Sequence, residues 1–349
     1  MSKPPFLALP SGVHAYRLAT ERGEFAVHDT APAGGRGVAT VLLLPGFTGS
    51  KEDFIGLLEP LARDGLRAVA VDGRGQFETG GPHEESAYAQ PELARDVLAV
   101  ARALRRDGVG GDRPVHLMGH SLGGLVARAA VLLEPAAFAS LTLMSSGPAA
   151  VAPSQRQRID LLLDALPTHG LEAIWQVMRQ LDQSVGSVGE APYSPAEAEE
   201  TTAAMDAFLR RRWLSNIPAQ LMATGRQLQT EPDRVGELAA MAAPAERAER
   251  AERAERAERA EPTEKSAPVE PAEPAEPATG GPSFHVVSGA VDDAWPVPLL
   301  DEMALRLGAR RTVVPGTGHS PNAERPEETA RALAGFWLAR TERGPLPHG

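Results

Sequence analysis

The chain contains no cysteine. That absence excludes disulfide bonds, thiolate catalysis and metal sites built on cysteine. Long apolar runs are missing too, because no stretch reaches the roughly 18 apolar residues of a membrane span and the first residues lack the apolar segment of a signal peptide. We therefore expect a cytoplasmic protein that has no membrane partner.

Positive charge is scarce as well. Lysine and arginine number 35 against 46 aspartate and glutamate residues, which leaves a formal net charge of -11 over 349 residues. An acidic protein is repelled by phosphate backbones and anionic lipids, so nucleic acid is not expected as a partner. A diffusible small-molecule substrate fits this charge better.

Apolar strand patterns alternate with helical patterns along most of the chain. Strands are predicted at 38–44, 66–71, 115–120, 140–144, 283–289 and 311–314, after an opening hairpin at 15–18 and 24–28. Helices are predicted at 51–63, 91–106, 122–133, 297–307 and 324–340. Strands that are apolar throughout are typical of a parallel sheet buried on both faces. The fold class is therefore α/β, with a mostly parallel central sheet and helices on both faces.

Residues 147–242 do not continue the alternation of strands and helices. They contain helical patterns near 155–166, 171–181, 195–213 and 217–229 and no pattern of a buried strand. They predict a helical cap inserted between two parts of the core, 1–146 and 283–349. Most of the cap's large apolar side chains are expected to pack its own core. A minority should face the site, and Trp175, Trp213 and Met222 are the candidate substrate contacts.

Residues 243–282 form a low-complexity insertion. Tandem Ala-Glu-Arg triplets pass into Pro-Ala-Glu repeats, and neither can form an apolar stripe. Such a composition buries too little apolar surface to offset the entropy of ordering, so a solvated helix or a disordered segment is predicted. Two roles stay open, a tolerated surface insertion and a docking arm.

The motif Gly119-His-Ser121-Leu-Gly123 lies between the strand at 115–120 and the next helix. A serine on such a turn adopts a strained backbone with positive φ, and the flanking glycines let neighbouring chain pass closely. This is the pattern of a nucleophile elbow, which exposes the serine hydroxyl at the edge of the sheet. Ser121 is the candidate nucleophile.

Two later loops follow strands and supply the partners that a serine nucleophile needs. Gly289-x-x-Asp292 offers a carboxylate, and Gly316-Thr-Gly-His319 offers an imidazole. The order Ser121, Asp292, His319 is the one expected when an elbow fold carries a triad. Loops at the carboxyl ends of parallel strands share one edge of the sheet, so the three should meet there.

Other residues near these motifs leave alternatives open. Asp293 could replace its neighbour as the triad acid, and Asp72, at another strand end, is a weaker alternative. His120 adjoins the nucleophile but cannot easily turn back onto it, so a structural role is predicted. Ser145 and Ser146 lack an elbow and are interpreted as the hinge into the cap.

Taken together, these motifs resemble the α/β-hydrolase family, in particular its cap-bearing branch of esterases, lactonases and perhydrolases. The resemblance implies that Ser121 is the nucleophile, Asp292 the orienting acid and His319 the general base. It also implies that the backbone N–H groups of Phe47 and Leu122 bind the oxyanion.

The oxyanion loop departs from the family pattern at one position. The family usually has His-Gly at its start, whereas this chain has Pro45-Gly46. A proline offers no imidazole to brace the loop. Since the donor is the following backbone N–H, we expect unchanged chemistry and a different support for the loop.

The function favoured by these residues is that of a serine hydrolase. It would cleave a small or medium carboxylic ester or lactone through an acyl-enzyme, a reaction that requires neither a metal nor an organic cofactor. A serine at the elbow argues against dehalogenase and epoxide-hydrolase chemistry. The alternatives are C–C bond hydrolysis or cofactor-free perhydrolysis by the same triad, and a non-catalytic ligand-binding protein on this fold.

Overall fold

The computed structural model describes residues 2–30, 37–107, 113–184, 195–241 and 281–341. Eight strands form one sheet in this part of the chain: β1 (Val13–Thr20), β2 (Gly23–Thr30), β3 (Ala39–Leu44), β4 (Leu66–Val71), β5 (Val115–His120), β6 (Ser140–Met144), β7 (Ser283–Gly289) and β8 (Arg310–Val314). Nearly all of the low-complexity insertion at 243–282, together with the roles considered for it, lies outside the described residues.

The strand order is β1-β2-β4-β3-β5-β6-β7-β8. β1 and β2 form the predicted hairpin, and β2 continues antiparallel onto β4. All pairs from β4 to β8 are parallel. The predicted fold class, α/β with a mostly parallel sheet, is therefore confirmed. The strand that ends in the elbow, β5, lies inside the sheet with neighbours on both sides.

The helices are α1 (Ile55–Arg63), α2 (Gln90–Arg106), α3 (Leu122–Leu133), α4 (Pro153–Ser184), α5 (Pro195–Leu214), α6 (Pro218–Thr230), α7 (Val235–Met241), α8 (Val297–Leu307), α9 (Pro321–Glu324) and α10 (Pro326–Thr341). The first helical turns of 51–63 are a 3-10 helix, Lys51–Phe54. α4 is broken at Gly170, whose φ of 70° is not helical. The break separates the two helices that the sequence predicts at 155–166 and 171–181.

The inner parallel strands, β3 to β7, are buried along their whole length, which explains why apolar residues dominate their sequences. The edge strand β8 is partly exposed. Along β5, Leu117 packs into the cluster formed with α2, α3 and α8. The next residue, Met118, points to the opposite cluster, formed with α1 and α10. Because successive side chains in a strand alternate between faces, a strand covered by helices on both sides buries its side chains at every position and is mostly apolar.

α4 to α7 lie between β6 and β7 in the chain, where the sequence predicts the cap. Their own apolar cluster contains Leu166, Ile174, Trp175, Trp213 and Leu221. The indole N–H of Trp213 donates to the carbonyl oxygen of Leu171 at 2.7 Å, which ties the end of α5 to the second half of α4. The proposed limits of the cap, 147 and 242, stay a prediction. Across the described ranges, no helix combines the length and apolar character needed to cross a membrane.

Among the described residues, four histidines are buried within the core: His28, His116, His120 and His285. Burial lowers the pKa of His28 and of His116 to about 4. Burial, with neighbouring positive groups, lowers the pKa of His120 and of His285 to about 3. Each imidazole is therefore neutral in the folded protein near pH 5, where the unfolded chain would protonate it.

We expect the free energy of unfolding to fall as the pH drops from about 6.5 to about 4, because the unfolded state then binds more protons than the folded state. One such histidine contributes a slope of at most ~1.4 kcal/mol per pH unit. Urea unfolding at several pH values measures this slope. His116→Gln should flatten it, whereas the same change at the exposed His14 should not. Equal slopes in the unchanged protein and in both variants would contradict the contribution assigned to the buried His116.

Candidate active site

Ser121 occupies the turn between β5 and α3 with a φ of 55° and a ψ of -121°. The turn is possible because Gly119 and Gly123, which have no Cβ, let neighbouring backbone pass very close to it. A Cβ on Gly119 would lie 2.2 Å from the carbonyl oxygen of Gly123, and a Cβ on Gly123 would lie 2.5 Å from the carbonyl oxygens of Leu44 and Pro45. Side chains at either glycine would separate the strand, the helix and the oxyanion loop.

His319 and Asp292 are in direct contact. His319 Nδ1 lies 3.0 Å from both carboxylate oxygens of Asp292. Asp292 Oδ1 also accepts the backbone N–H groups of Ala294 at 2.9 Å and of Trp295 at 3.0 Å.

The charge state of this pair follows from its contacts. Burial alone would raise the pKa of Asp292, but the hydrogen bonds from His319 and from the two amides outweigh it and hold the pKa below its usual value. The carboxylate is therefore ionised at neutral pH and requires a proton on His319 Nδ1. His319 Nε2 is then the nitrogen that can accept a proton.

Two neighbours fix the position of His319. His120 Nε2 donates to the backbone carbonyl oxygen of His319 at 2.9 Å, which fits the structural role predicted for this residue. The indole ring of Trp295 lies nearly parallel to the imidazole, with 6.3 Å between centroids. The sequence signal for Trp295 was its place three residues after Asp292 in the same strand-end loop.

The alternative acids have other partners. Asp293 lies at the surface, where its Oδ2 accepts the side-chain N–H of Gln155 at 2.6 Å. Asp72 is fully buried and accepts the backbone N–H of Lys51 at 2.7 Å and its ammonium group at 3.0 Å. Within the described part of the chain, the carboxylate bonded to His319 is that of Asp292.

One group of side chains in the described ranges has the spacing of metal ligands. Asp292, Asp293 and His319 each offer a ligand atom, and these atoms lie within 4.8 Å of one another. The Asp292 carboxylate already accepts three N–H groups, from His319 and two amides. Its contacts are those of an orienting acid.

The predicted oxyanion loop lies directly over Ser121. A Cβ on Gly46 would be 3.3 Å from the Cβ of Ser121. Support comes from Gln76, whose Nε2 donates to the carbonyl oxygens of Gly46 at 2.8 Å and of Phe47 at 3.3 Å. The expectation that the loop at Pro45 would need a different brace thus has a structural counterpart. Leu122, the other predicted oxyanion donor, is the first residue of α3.

A cavity of about 340 Å³ opens above these residues. Ser121, His319 and Phe47 line its floor and wall, while the apolar side chains come from Val151, Ile159 and Leu228. Polar residues are also part of the lining, among them Gln155, Arg158 and Asp293.

The candidate substrate contacts of the cap are placed elsewhere. Trp175, Trp213 and Met222 are not among the described residues that line this cavity. Trp175 and Trp213 are buried in the cap's own cluster, and Met222 packs against that cluster and the main core. The apolar wall is supplied instead by the start of α4 and the end of α6, because these helix ends lie over the sheet edge that carries the triad residues.

A buried ion pair that the sequence did not reveal joins the predicted cap to the 3-10 helix that follows the predicted oxyanion loop. Arg212 on α5 donates to Asp53 Oδ1 at 2.7 Å, and both side chains are fully buried. Asp53 Oδ2 accepts the backbone N–H of Ser50 at 3.3 Å. The Asp53 carbonyl oxygen accepts the side-chain N–H of Asn322, in α9 just after His319, at 2.7 Å. Asp53 therefore connects the cap, the oxyanion loop and the histidine loop.

Comparison with known proteins identifies the family of the chain. Residues 39–171 match the sequence model of the alpha/beta hydrolase fold. The chain is 30% identical over 227 residues to the 2-hydroxy-6-oxononadienedioate/2-hydroxy-6-oxononatrienedioate hydrolase of Cupriavidus pinatubonensis, covering 62% of this chain and 72% of that relative. The chain belongs to the alpha/beta hydrolase family. The matched relatives are named as hydrolases, which favours an enzyme over the non-catalytic binding protein considered from the sequence.

Other matches to this hydrolase are partial or distant. A protein of Agrobacterium fabrum named as a candidate carbamate hydrolase, RutD, is 32% identical over 136 residues, which are 38% of this chain. The chain spans about half of that relative's length, 48%. Among solved structures, the enol-lactonase of Burkholderia xenovorans superposes with a TM-score of 0.62 at 15% identity, over 93% of this chain and 100% of that one. A thermophilic esterase of Thermogutta terrifontis gives 0.61 at 19% identity, over 94% and 99%.

We expect Arg212→Met to lower the free energy of unfolding of this hydrolase by ~3–5 kcal/mol, because it leaves the Asp53 carboxylate buried without its partner. The matched control is Arg210→Met on the same helix. Arg210 pairs with Glu172 at 2.7 Å, with both side chains about half exposed, so its loss should cost less than ~1 kcal/mol. Urea unfolding measures both values, and similar losses in the two variants would refute the distinction.

Proposed function

We propose that this hydrolase cleaves a carboxylic ester or lactone of small or medium size through an acyl-enzyme on Ser121. The observation that carries the proposal is that Ser121, His319 and Phe47 line one cavity, with His319 bonded to the ionised Asp292 behind it. The proposal includes the cap at 147–242, a cytoplasmic location and a diffusible substrate, the last supported by the net charge of -11.

The mechanism assigns one task to each group. His319 Nε2 takes the proton of the Ser121 hydroxyl, and the serine oxygen attacks the carbonyl carbon of the substrate. The N–H groups of Phe47 and Leu122 bind the oxyanion of the tetrahedral intermediate. His319 then returns the proton to the leaving alcohol oxygen, and a water molecule activated by the same nitrogen hydrolyses the acyl-enzyme.

The cavity supports a limit on substrate size. Its volume of about 340 Å³ is near the lower end of the range of roughly 300–1,000 Å³ that ligand pockets occupy. The apolar side chains of Val151, Ile159 and Leu228 suit an apolar arm of the substrate, and the polar rim suits a carbonyl or hydroxyl group outside the reacting bond.

C–C bond hydrolysis is the second candidate, and one observation favours it. The relative from Cupriavidus pinatubonensis, whose name assigns it a 2-hydroxy-6-oxo dienedioate substrate, is matched over 72% of its length. The same three residues would serve, since cleavage of a C–C bond next to a carbonyl also passes through an oxyanion.

Ser121→Ala is expected to lower kcat by about a millionfold, as loss of a triad serine does elsewhere. A fluorophosphonate probe should label the unchanged protein and fail to label the variant. Ser154→Ala serves as the control, because Ser154 is exposed at the start of α4 and its loss should change neither readout. Turnover by Ser121→Ala at the rate of the unchanged protein would disprove the proposal.

Ranking substrates separates the candidate reactions. Purified protein is assayed with p-nitrophenyl esters of increasing acyl length, with lactones, with a vinylogous diketone, and with acetate plus hydrogen peroxide. We expect the highest kcat/KM on a short or medium ester or a lactone. A higher kcat/KM on the diketone would contradict ester hydrolysis and indicate C–C bond hydrolysis. A higher kcat/KM with acetate and peroxide would indicate perhydrolysis.

A further inference from the structure

The peptide group between Gly46 and Phe47 contributes two groups to the site, the C=O of Gly46 and the N–H of Phe47. A trans peptide is planar and carries its C=O and its N–H on opposite sides. The N–H of Phe47 is the oxyanion donor under the proposed function, and the C=O of Gly46 belongs to the same plane. Whatever holds the Gly46 oxygen therefore also sets the direction of the Phe47 N–H.

Two donors hold the Gly46 oxygen. One is Nε2 of Gln76 at 2.8 Å, and the other is the backbone N–H of Gly49 at 3.1 Å. Gln76 Nε2 also reaches the next carbonyl oxygen, that of Phe47, at 3.3 Å. A single side-chain amide thus binds the peptides on both sides of the residue that presents the N–H.

Gln76 is itself fixed in place. Its Oε1 accepts the backbone N–H of Gly73 at 3.0 Å, so the amide cannot be turned over without placing an oxygen against two carbonyl oxygens. The backbone N–H of Gln76 donates to Gly73 and its carbonyl oxygen accepts from Thr79. The side chain is buried, with 5% of its surface exposed.

The topology explains why this residue can reach the loop. Gln76 follows β4, and the oxyanion loop follows β3, its parallel neighbour in the sheet. The ends of neighbouring parallel strands lie ≈ 5 Å apart, within the length of a glutamine side chain. A buried amide that binds two carbonyl groups is suited to hold a loop that has a proline where a bracing imidazole is usual.

We propose that Gln76 is a positioning residue, which orients the Gly46–Phe47 peptide so that the Phe47 N–H points at the oxyanion. This inference rests on the proposed function. Without the amide, the carbonyl oxygens of Gly46 and Phe47 lose a shared donor, and the peptide plane can rotate. The stabilisation of the tetrahedral intermediate is then lost, while binding of the ground-state substrate changes little.

The test replaces Gln76 by methionine, which has a similar length and no donor. Removing an oxyanion donor outright costs about 100- to 1,000-fold in kcat, so loss of its support should cost roughly 10- to 100-fold with KM nearly unchanged. Affinity for a trifluoromethyl ketone, which forms an oxyanion on the serine, should fall by a similar factor. Gln76→Glu should lose more, because a carboxylate would face two carbonyl oxygens.

Gln227→Met is the matched control. Gln227 Nε2 donates to the carbonyl oxygen of Tyr88 at 2.7 Å, a bond in which the Gly46 and Phe47 peptides take no part. The same chemical change there should leave kcat and ketone affinity unaltered. If Gln76→Met does not fold, Gln76→Asn keeps the amide but is too short to reach both carbonyl oxygens, and the same losses in kcat and ketone affinity are expected.

The outcomes separate this inference from the proposed function. A folded Gln76 variant with lower thermal stability but unchanged kcat and ketone affinity would overturn the positioning role. A large rise in KM at unchanged kcat would overturn it as well, since that result means a contact with the ground state. Turnover that survives Ser121→Ala would instead overturn the proposed function.

Discussion

The contact between the oxyanion loop, β5 and α3 constrains the whole site. Ser121 keeps a positive φ only because Gly123 packs against the carbonyl oxygens of Leu44 and Pro45, and Gly119 packs against Gly123. A strained residue of this kind costs about 1–3 kcal/mol and persists when its surroundings leave no alternative. Here the surroundings are a strand in the sheet interior, covered by helices on both faces.

Around that contact, the site is assembled from segments that are distant in the chain. His120, beside Ser121, donates to the backbone carbonyl oxygen of His319, which is 199 positions away in the chain. The Asp292 carboxylate, ionised because three N–H groups converge on it, sets the proton position on the imidazole. Orientation of the histidine thus depends on hydrogen bonds to both its ring and its backbone.

The sequence was sufficient to predict those site residues that lie in loops directly after strands. Buried strands and glycine-punctuated loops locate Ser121, Asp292 and His319 because a parallel sheet brings such loops to one edge. Periodicity does not report how far a side chain reaches, so the bonds from Gln76 to Gly46 and from Arg212 to Asp53 had no signal. Trp175 and Trp213 show the same limit, since an apolar pattern identifies a buried helix face but not the surface that covers it. Pro45 indicated that the loop lacks the usual imidazole support, but the sequence did not identify Gln76 as the residue that supports it instead.

The Arg212–Asp53 ion pair also bears on how substrates enter and leave. Swinging the cap away as a rigid lid would strip a buried carboxylate of its partner, at a cost of several kcal/mol. Trp295 adds a second tether, since its indole N–H donates to Ala149 at the start of the cap at 2.8 Å. The polar rim of the cavity includes the exposed side chain of Arg158, and exposed side chains change rotamer within picoseconds to nanoseconds. Both contacts oppose opening of the predicted cap, so the width of the polar rim sets which molecules reach Ser121.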